Sequence, residues 1–389
     1  MREELLHFIW RWRHFNHQGL VTEAGEPLQV LFPGEQNPHQ GPDFRDARIR
    51  IGGVTYTGPV ELHVLASDWI RHAHDDDVHY GAVVLHVVWV NDRPEKVTAG
   101  AIPMLVLLPR VSKLLLNRYE YWMRRRSFVP CEGQLSSVDA VLWTSWLREL
   151  GLQRLTRRAA VVWRWLEQNR QDWEETTWWL LARSMGLAVN GAVFEAVARS
   201  LPLRLLMRHR SQPVLLEALL LGQAGLLPAS DGRAREYRFL RIKYGLRPVD
   251  APVAFLRMRP GNFPDGRLVQ LAALMATGRG WFAFVRDAES PGTVMREMAA
   301  VKGLGVERQK GMVINAFIPV LFAYGQREKA LGWLREVKAE SNAILRGWGG
   351  LGVAAKDAAG SQGLLELKKE YCNARRCLDC AIGRALLAA

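Results

Sequence analysis

The chain has 389 residues, of which 49% are hydrophobic and 23% charged, and its formal net charge is +13. This length predicts two or three packed units with the composition of a soluble globular protein. The sequence starts without a secretory apolar segment, and its longest apolar stretch (residues 313–324) is too short to cross a bilayer. We therefore expect a cytoplasmic protein with no membrane partner.

The N-terminal residues predict an α/β sandwich of about a hundred residues. Apolar residues at helical spacing in residues 2–15 predict an amphipathic helix, and residues 26–34 predict a short strand ended by Pro-Gly. Gly52 and Gly53 stand between two alternating segments and predict a hairpin. Gly58 and Pro59 predict a bulge in the second strand of that hairpin.

A short helix and a buried strand follow the hairpin. Ser67 or Asp68 is a predicted helix cap before a helical or irregular segment. The apolar run over residues 82–90 predicts a buried central strand, and residues 97–109 add a candidate edge strand. The predicted order is therefore helix, strand, hairpin, helix, strand.

The sequence changes character near residue 111. Gly, Pro and Asn separate helical patterns from one another, without the regular spacing of a solenoid. We therefore predict an α+β fold with a mixed sheet over residues 1–110, followed by a mainly α-helical domain over residues 111–389. The helical segments are residues 110–127, 139–168, 172–186, 190–202, 212–225, 267–278, 313–325 and 327–341.

The charge is divided unevenly between these regions. Residues 1–110 hold 10 Lys and Arg against 14 Asp and Glu, a net of −4, and the rest holds 42 against 25, a net of +17. Nine of the ten histidines lie within residues 1–86. This division favours a protein that binds a polyanion and uses carboxylates to hold cations. An Arg-rich composition without functional meaning is the alternative.

Two carboxylates near the starts of the hairpin strands suggest a catalytic site. Residues two apart on a strand face the same side, so Glu61 and His63 project together, and Asp43 can approach from the neighbouring strand. With the Leu62 carbonyl, the two acids would form a hard-oxygen site for Mg²⁺ or Mn²⁺. His63 could orient or deprotonate the attacking water. Alternatively, Glu61 pairs with a cross-strand Arg and Asp43 is a turn residue.

This arrangement resembles the PD-(D/E)XK nuclease superfamily. The core of that superfamily is α-β-β-β-α-β, with Pro-Asp at one strand and (Asp/Glu)-x-Lys on the next. Pro42-Asp43 matches the first half, and Glu61-Leu62-His63 stands at the second half with His63 in place of the usual Lys. The resemblance implies metal-dependent cleavage of nucleic acid. His63 departs from the pattern, because neutral imidazole is a better base and a poorer phosphate clamp than Lys.

A second resemblance covers nearly the whole chain. The pattern GPDF…VE-x-H…SDW-x-x-H-x-H…LHVV, the RPGNFP segment and the terminal CLDC look like a bacterial domain-of-unknown-function family. This resemblance implies no activity.

Further polar residues are candidates for the pocket. Glu3 or Glu4 in the first helix could reach the metal, as a helix-borne Glu does in some members of the superfamily. His86 is either a satisfied core histidine or a pocket contact. The candidate pocket residues are Glu4, Glu35, His39, His72, His74 and His86. A solvated loop is the alternative for His72 and His74. Neither a nucleophile elbow nor a Walker-type loop is present.

The basic region supplies candidate contacts to nucleic-acid phosphates. These are Arg124, Arg125, Arg126, Arg157, Arg158, Arg257, Arg259 and Arg267. Binding through them would release counterions and weaken steeply as salt rises.

The four cysteines predict a metal centre. Cys372, Cys377 and Cys380 have the spacing C-x4-C-x2-C, and Cys131 is the remaining cysteine. Disulfides are not expected in a reducing cytoplasm, which favours metal ligation. The spacing with a distant fourth cysteine matches plant-type ferredoxin ligation and resembles the iron–sulfur sites of certain PD-(D/E)XK nucleases, so we expect an iron–sulfur cluster, with Zn²⁺ as the alternative. We predict that the C-terminal segment is helical, so that Cys377 and Cys380 lie on one helix face. A break in the helix near Asn373 would bring Cys372 to them. Buried or incidental thiols are the alternative.

Together these features predict a Mg²⁺- or Mn²⁺-dependent nuclease whose partner is nucleic acid, DNA more than RNA. The first alternative is a catalytically inactive relative that binds nucleic acid or protein through the same surface. The second is a zinc-dependent hydrolase that uses the histidine cluster.

Overall fold

The computed structural model describes residues 1–93, 102–255 and 263–389, and the chain divides into two compact units. The first unit comprises Met1–Val138 with Tyr371–Ala389, and the second comprises Asp139–Glu370. The first unit has an α+β fold and the second is mainly helical. The boundary therefore differs from the one predicted at residue 110.

The first unit is built on a six-stranded mixed sheet. The strands lie in the order β1–β3–β4–β5–β6, with β2 paired to β3. The pairs β1–β3 and β3–β4 are antiparallel, whereas β4–β5 and β5–β6 are parallel. The strands are β1 (Leu28–Phe32), β2 (Glu35–Gln36), β3 (Phe44–Ile51), β4 (Val54–Leu65), β5 (Leu85–Val90) and β6 (Met104–Val106). Because β5 pairs on both sides, its near-continuous apolar sequence is buried.

The predicted hairpin joins β3 to β4. Gly52 and Gly53 have φ angles of 55° and 90°, which a two-residue turn of this kind requires and which glycine adopts without steric cost. The predicted bulge at Gly58 and Pro59 is wrong in position. The register shift lies in the opposing strand β3, between Phe44 and Ala47, where Asp46 takes a φ of 57°.

Helix α1 (Glu3–Arg11) packs its apolar face onto the sheet. Leu6, Ile9 and Trp10 are fully buried, and Trp10 Nε1 donates a hydrogen bond of 2.9 Å to the Pro33 carbonyl. The helix ends earlier than its apolar pattern predicts, and Arg13 takes a φ of 56° shortly after it.

A short helix follows β4. Helix α2 (Asp68–Arg71) has Ser67 at its N-cap without a side-chain capping bond, and two 3₁₀ turns, His74–Asp76 and Val78–Tyr80, lead towards β5. The order α1–β1–β3–β4–α2–β5 agrees with the predicted order of elements.

Contacts of the C-terminal segment explain the position of the domain boundary. Helix α3 (Lys113–Arg124) and the C-terminal helix (Ala381–Ala388) belong to the first unit. Arg375 donates hydrogen bonds to the carbonyls of Trp122 and Arg125. Such contacts between distant parts of the chain leave no local sequence pattern, which is why the boundary differs.

The second unit is an assembly of helices around one large apolar core. Helices α4 (Ala140–Gln168) and α17 (Ala358–Glu366) pack closely, with Gly363 against the Leu147 backbone. The others are α5 (Trp173–Met185), α6 (Leu187–Ser200), α7 (Leu203–Arg208), α8 (Pro213–Gln223), α9 (Gly232–Tyr244), α10 (Pro264–Ala276), α11 (Trp281–Asp287), α12 (Pro291–Ala299), α13 (Val306–Met312), α14 (Ile318–Ala323), α15 (Arg327–Glu336) and α16 (Ala343–Gly350).

The predicted helical segments all contain helices in the structure. Helices α7, α9, α11, α12, α13 and α16 were not predicted. Across the described ranges, no single helix is long and apolar enough to cross a bilayer, although the bent pair α10–α11 reaches that length and composition together.

Candidate functional site

The β3–β4 pairing brings the two predicted carboxylates side by side. Phe44 pairs with Val60, so Asp43 lies next to Glu61 at one end of the hairpin. The Asp43 N–H donates to Glu61 Oε2 at 3.0 Å, and the Leu62 N–H donates to Asp43 Oδ2 at 3.0 Å. Each carboxylate is therefore held by the backbone of the other strand.

Glu61 is an acid in an apolar position. It is 5% exposed, and burial raises its pKa to about 8, with the nearby charge of Asp43 acting in the same direction. The backbone hydrogen bond from Asp43 partly opposes this shift. A cation beside Glu61 would relieve the cost of ionising it.

Helix α1 adds two groups on the Asp43 side. Glu3, His7 and Asp43 offer ligand atoms that lie within 4.8 Å of one another. His7 Nε2 is 3.2 Å from Asp43 Oδ2 and 4.0 Å from Glu3 Oε1. Burial lowers the pKa of His7, but Asp43 and Glu3 outweigh it, so the net shift is upward.

A histidine cluster lies on the Glu61 side. His63, His72 and His74 offer ring nitrogens within 4.8 Å of one another. The Nε2 atoms of His63 and His74 are each 3.5 Å from Glu61 Oε1, and His72 Nδ1 is 3.2 Å from His63 Nε2. His63 and His74 are buried and His72 is exposed.

His86 stands behind this cluster. It pairs with Glu61 across the parallel β4–β5 ladder, and its Nε2 is 2.9 Å from His63 Nδ1. Burial lowers the pKa of His63 to about 3 and that of His86 to about 4, with neighbouring imidazoles adding to both shifts. Both rings are therefore neutral at physiological pH.

Two aromatic side chains enclose the histidines. The Tyr80 ring stacks on His74 with centroids 3.7 Å apart, and Trp69 lies 4.9 Å from the His86 ring. Trp69 is itself fixed by a hydrogen bond of 2.8 Å from its Nε1 to Asp75 Oδ1. Burial raises the pKa of Tyr80 to about 12, so its phenol stays protonated.

Three of the weaker candidates lie outside these ligand groups. Glu4 is exposed on α1, and Glu3 is the acid of that helix that joins His7 and Asp43. Glu35 is exposed in β2, and His39 is exposed in a loop where its N–H donates to Asn37 Oδ1.

The predicted phosphate contacts fall into different environments. Arg124 and Arg126 are exposed, and Arg125 pairs with Glu132 at 2.8 Å. Arg157 pairs with Glu366 and Glu370, Arg158 bonds to Asn315, and Arg267 is buried with a hydrogen bond to Gln270. Arg257 and Arg259 lie outside the described residues.

The four cysteines all belong to the first unit, and none of them is in a disulfide. Cys131, Cys377 and Cys380 are buried, and burial raises the pKa of Cys131 and of Cys377 to about 12, with the other buried thiols nearby. The expected helix face is wrong, because a π-helical segment ends at Cys372 and Cys377 lies in a turn. Among the described residues, no three of the sulfurs lie within 4.8 Å of one another.

His7, Trp69 and Tyr80 were not singled out from the sequence. The spacing of Glu3 and His7, four residues apart on a predicted helix, was a signal that could have found His7. Trp69 and Tyr80 carry no comparable signal, because their contacts with the histidines depend on how the segment after β4 folds.

One comparison with known proteins gives a match. A family model described as protein of unknown function (DUF2851) matches residues 3–302. Neither the curated proteins nor the solved structures provide a match.

Proposed function

Because the chain belongs to the DUF2851 family, whose description states no activity, we propose a function from the site itself: metal-dependent hydrolysis of phosphodiester bonds in nucleic acid, with DNA as the first substrate to test. The observation that carries the proposal is the reciprocal bonding of Asp43 and Glu61 at the end of one hairpin.

The order of elements supports a PD-(D/E)XK-like core. Pro42-Asp43 directly precedes β3, Glu61 lies in β4, and β5 pairs with β4 in parallel after the intervening helix α2. Apart from the two-residue β2 and the edge strand β6, this order is similar to the α-β-β-β-α-β core of that superfamily, which supports the proposal. A similar fold does not by itself establish nuclease activity, so the proposal depends on the side chains of the site.

The donor set fits a hard divalent cation on the Asp43 side. Asp43 and Glu3 supply carboxylate oxygens, His7 supplies an imidazole, and Glu61 is close enough to couple electrostatically with Asp43. Such ligands suit Mg²⁺ or Mn²⁺. When bound, the ion would polarise a phosphate and lower the pKa of a water for in-line attack.

The protein's own residues prepare the pocket for that chemistry. The backbone bonds fix both carboxylates before any ligand arrives, so little reorganisation is needed. His7 lies beside Asp43 with a raised pKa, so a cation that binds its imidazole must displace the proton.

His63 fits a positioning role better than the predicted role of general base. Its Nδ1 faces His86, its Nε2 faces Glu61 and His72, and its pKa is lowered to about 3. A base that weak, enclosed on both nitrogens, would take a proton from water poorly.

Isosteric amides test the carboxylates. Asp43→Asn and Glu61→Gln can each still accept the backbone hydrogen bond now made to the carboxylate, so the fold should persist while the charge is lost. We expect cleavage with Mg²⁺ or Mn²⁺ to fall by about a hundredfold or more in either variant. The exposed Glu26→Gln is the matched control and should cleave like the wild type.

The assay should cover single-stranded, duplex and branched DNA and also RNA, with chelator as a blank. Wild-type protein that binds these substrates without cleaving any of them would overturn the enzymatic proposal and favour the inactive binding module.

Salt dependence tests the polyanion part of the proposal. The logarithm of the binding constant should fall linearly with the logarithm of the salt concentration. Arg126→Ala should reduce the magnitude of that slope by about one. Arg126 is the informative position because it is exposed. An affinity that is indifferent to salt would argue against any nucleic-acid partner.

A further inference from the structure

The histidine side of the pocket has its own ligand set, separate from the Asp43 side. It draws His63 from β4, His72 from the end of α2, and His74 from the 3₁₀ turn that follows. Glu61 joins them through Oε1, the oxygen not used by the Asp43 backbone. Three ring nitrogens therefore converge from different elements, and Glu61 Oε1 lies beside two of them.

His63 and His72 contact each other through ring nitrogens, whereas His74 Nε2 has no hydrogen-bond partner among the described residues. His74 is 9% exposed, and its Nε2 has no hydrogen bond although it faces Glu61 Oε1 at 3.5 Å. Buried polar atoms without partners destabilise a fold. Lone pairs facing one another are stabilised by a cation between them.

The second contact of His63 suits metal ligation. A cation at Nε2 places the ring proton on Nδ1, which then donates to His86 Nε2 at 2.9 Å. Metal-bound histidines ordinarily donate their other ring N–H to a fixed acceptor in this way. His86 therefore acts as the orienting partner and not as a ligand.

The distances separate two classes of ion. A tetrahedron with bonds of about 2.0–2.1 Å has edges of about 3.3–3.4 Å, as expected for zinc. An octahedron with magnesium bonds of about 2.0–2.1 Å has adjacent edges of about 2.8–3.0 Å. The 3.2 Å between His72 Nδ1 and His63 Nε2 is close to the tetrahedral edge, and Glu61 Oε1 lies 3.5 Å from two of the ring nitrogens.

We propose that His63, His72 and His74 form a three-histidine site for Zn²⁺ with Glu61 beside it, so that two different cations bind on either side of the paired carboxylates. The nitrogen-rich side selects zinc, and the side with Glu3, His7 and Asp43 takes Mg²⁺ or Mn²⁺. The inference rests on the proposed function for its catalytic meaning, because a second cation beside Glu61 would add to the positive charge that stabilises a phosphate under attack. Zinc binding itself does not require cleavage activity.

Cobalt substitution and zinc analysis test the site directly. Metal-freed full-length protein is titrated with Co²⁺, and bound zinc is measured after dialysis. We expect intense visible absorption of four-coordinate cobalt, lost in His72→Ala and His74→Ala, with zinc affinity at least about tenfold weaker. His17→Ala, which removes an exposed histidine elsewhere, is the control and should keep both signals.

Two comparisons keep the outcome clear. His72 is exposed, so its variant should fold even if the buried His74 variant does not. Cobalt bound at the cysteines would show a thiolate charge-transfer band, and Cys131→Ser would remove that band alone.

Zinc binding and nucleic-acid cleavage are tested by different results. Asp43→Asn should abolish Mn²⁺ binding but retain the cobalt spectrum. A protein that binds zinc as described yet cleaves nothing would leave this inference standing without the nuclease. Visible cobalt absorption that His72→Ala leaves unchanged, or zinc lost equally in His17→Ala, would overturn it.

Discussion

At the level of single side chains, burial gives Glu61 and its neighbouring histidines opposite dependences on pH. The pKa of Glu61 is raised to about 8, so the folded state binds its proton more tightly than the unfolded state. Its contribution to stability is complete below pH 4.5 and is lost as pH rises towards 8. His63 and His86 have lowered pKa values of about 3 and 4, so their contribution is present above pH 6.5 and is lost below it.

In metal-free wild-type protein, Glu61, His63 and His86 should therefore contribute most to the free energy of unfolding near pH 6.5. Between pH 6.5 and 8 the free energy of unfolding should fall by at most about 2 kcal/mol, at about 1.4 kcal/mol per pH unit. Glu61→Gln should flatten that decline, because glutamine has no proton to lose. Urea denaturation in chelator at several pH values measures this, with Glu26→Gln as control.

Adding zinc should restore wild-type stability at pH 8, since a bound cation replaces the proton on Glu61. A decline that is equally steep in Glu61→Gln would show that another group titrates in this range.

At the level of elements, the pocket depends on how closely β4 approaches β5. The Val84 N–H donates to the Pro59 carbonyl at 2.9 Å, just before the two strands pair in parallel. Gly58 permits this approach, because a Cβ there would lie 2.6 Å from Val84 Cγ1 and 3.0 Å from the Ala82 carbonyl. The glycine that suggested a bulge is thus explained by a close contact.

Gly58→Ala should destabilise the protein by about 1–3 kcal/mol and weaken metal binding, because β4 must shift at its Glu61 end. Gly81→Ala is the matched control: its φ is −60° and the nearest atom to its added Cβ is 3.6 Å away. Urea denaturation and Mn²⁺ titration of both variants measure the effects. Equal stability of the two variants would contradict the proposed contact.

At the level of the whole molecule, the first unit is discontinuous in sequence. The chain leaves it after Val138 and returns at Tyr371. Cys131 lies shortly before the departure, and Cys372 directly follows the return. A metal joining them would close a loop of about 240 residues, which restricts the unfolded chain more than a short loop would.

The sequence prediction of a metal centre requires purified full-length protein to contain metal at the cysteines, as iron and sulfide when prepared anaerobically or as zinc. Cys131→Ser should lose that metal and unfold at a lower denaturant concentration. Val129→Ala, which truncates a fully buried neighbour, should lose stability without losing metal. Metal-free protein that folds normally, with Cys131→Ser as stable as the wild type, would remove the case for a metal centre.

The sequence by itself determined the local parts of this protein. Periodicity identified α1, β1, the hairpin and β5, because hydrophobic spacing follows directly from which face of an element is buried. The Gly52-Gly53 pair identified the turn, because few residues accept its dihedral angles. Asp43, Glu61 and His63 could also be chosen from the sequence, because carboxylates and histidines within or next to strands are unusual enough to require explanation.

Only the tertiary structure decided which distant residues meet. Folding the segment after β4 brings His72 and His74 to Glu61, and packing α1 on the sheet brings His7 to Asp43. It also places residues 371–389 in the first unit and not in the helical one. Such contacts depend on the packing of whole elements and produce no regular pattern in the sequence. Side-chain chemistry could therefore identify candidate ligands but could not show which of them bind the same ion.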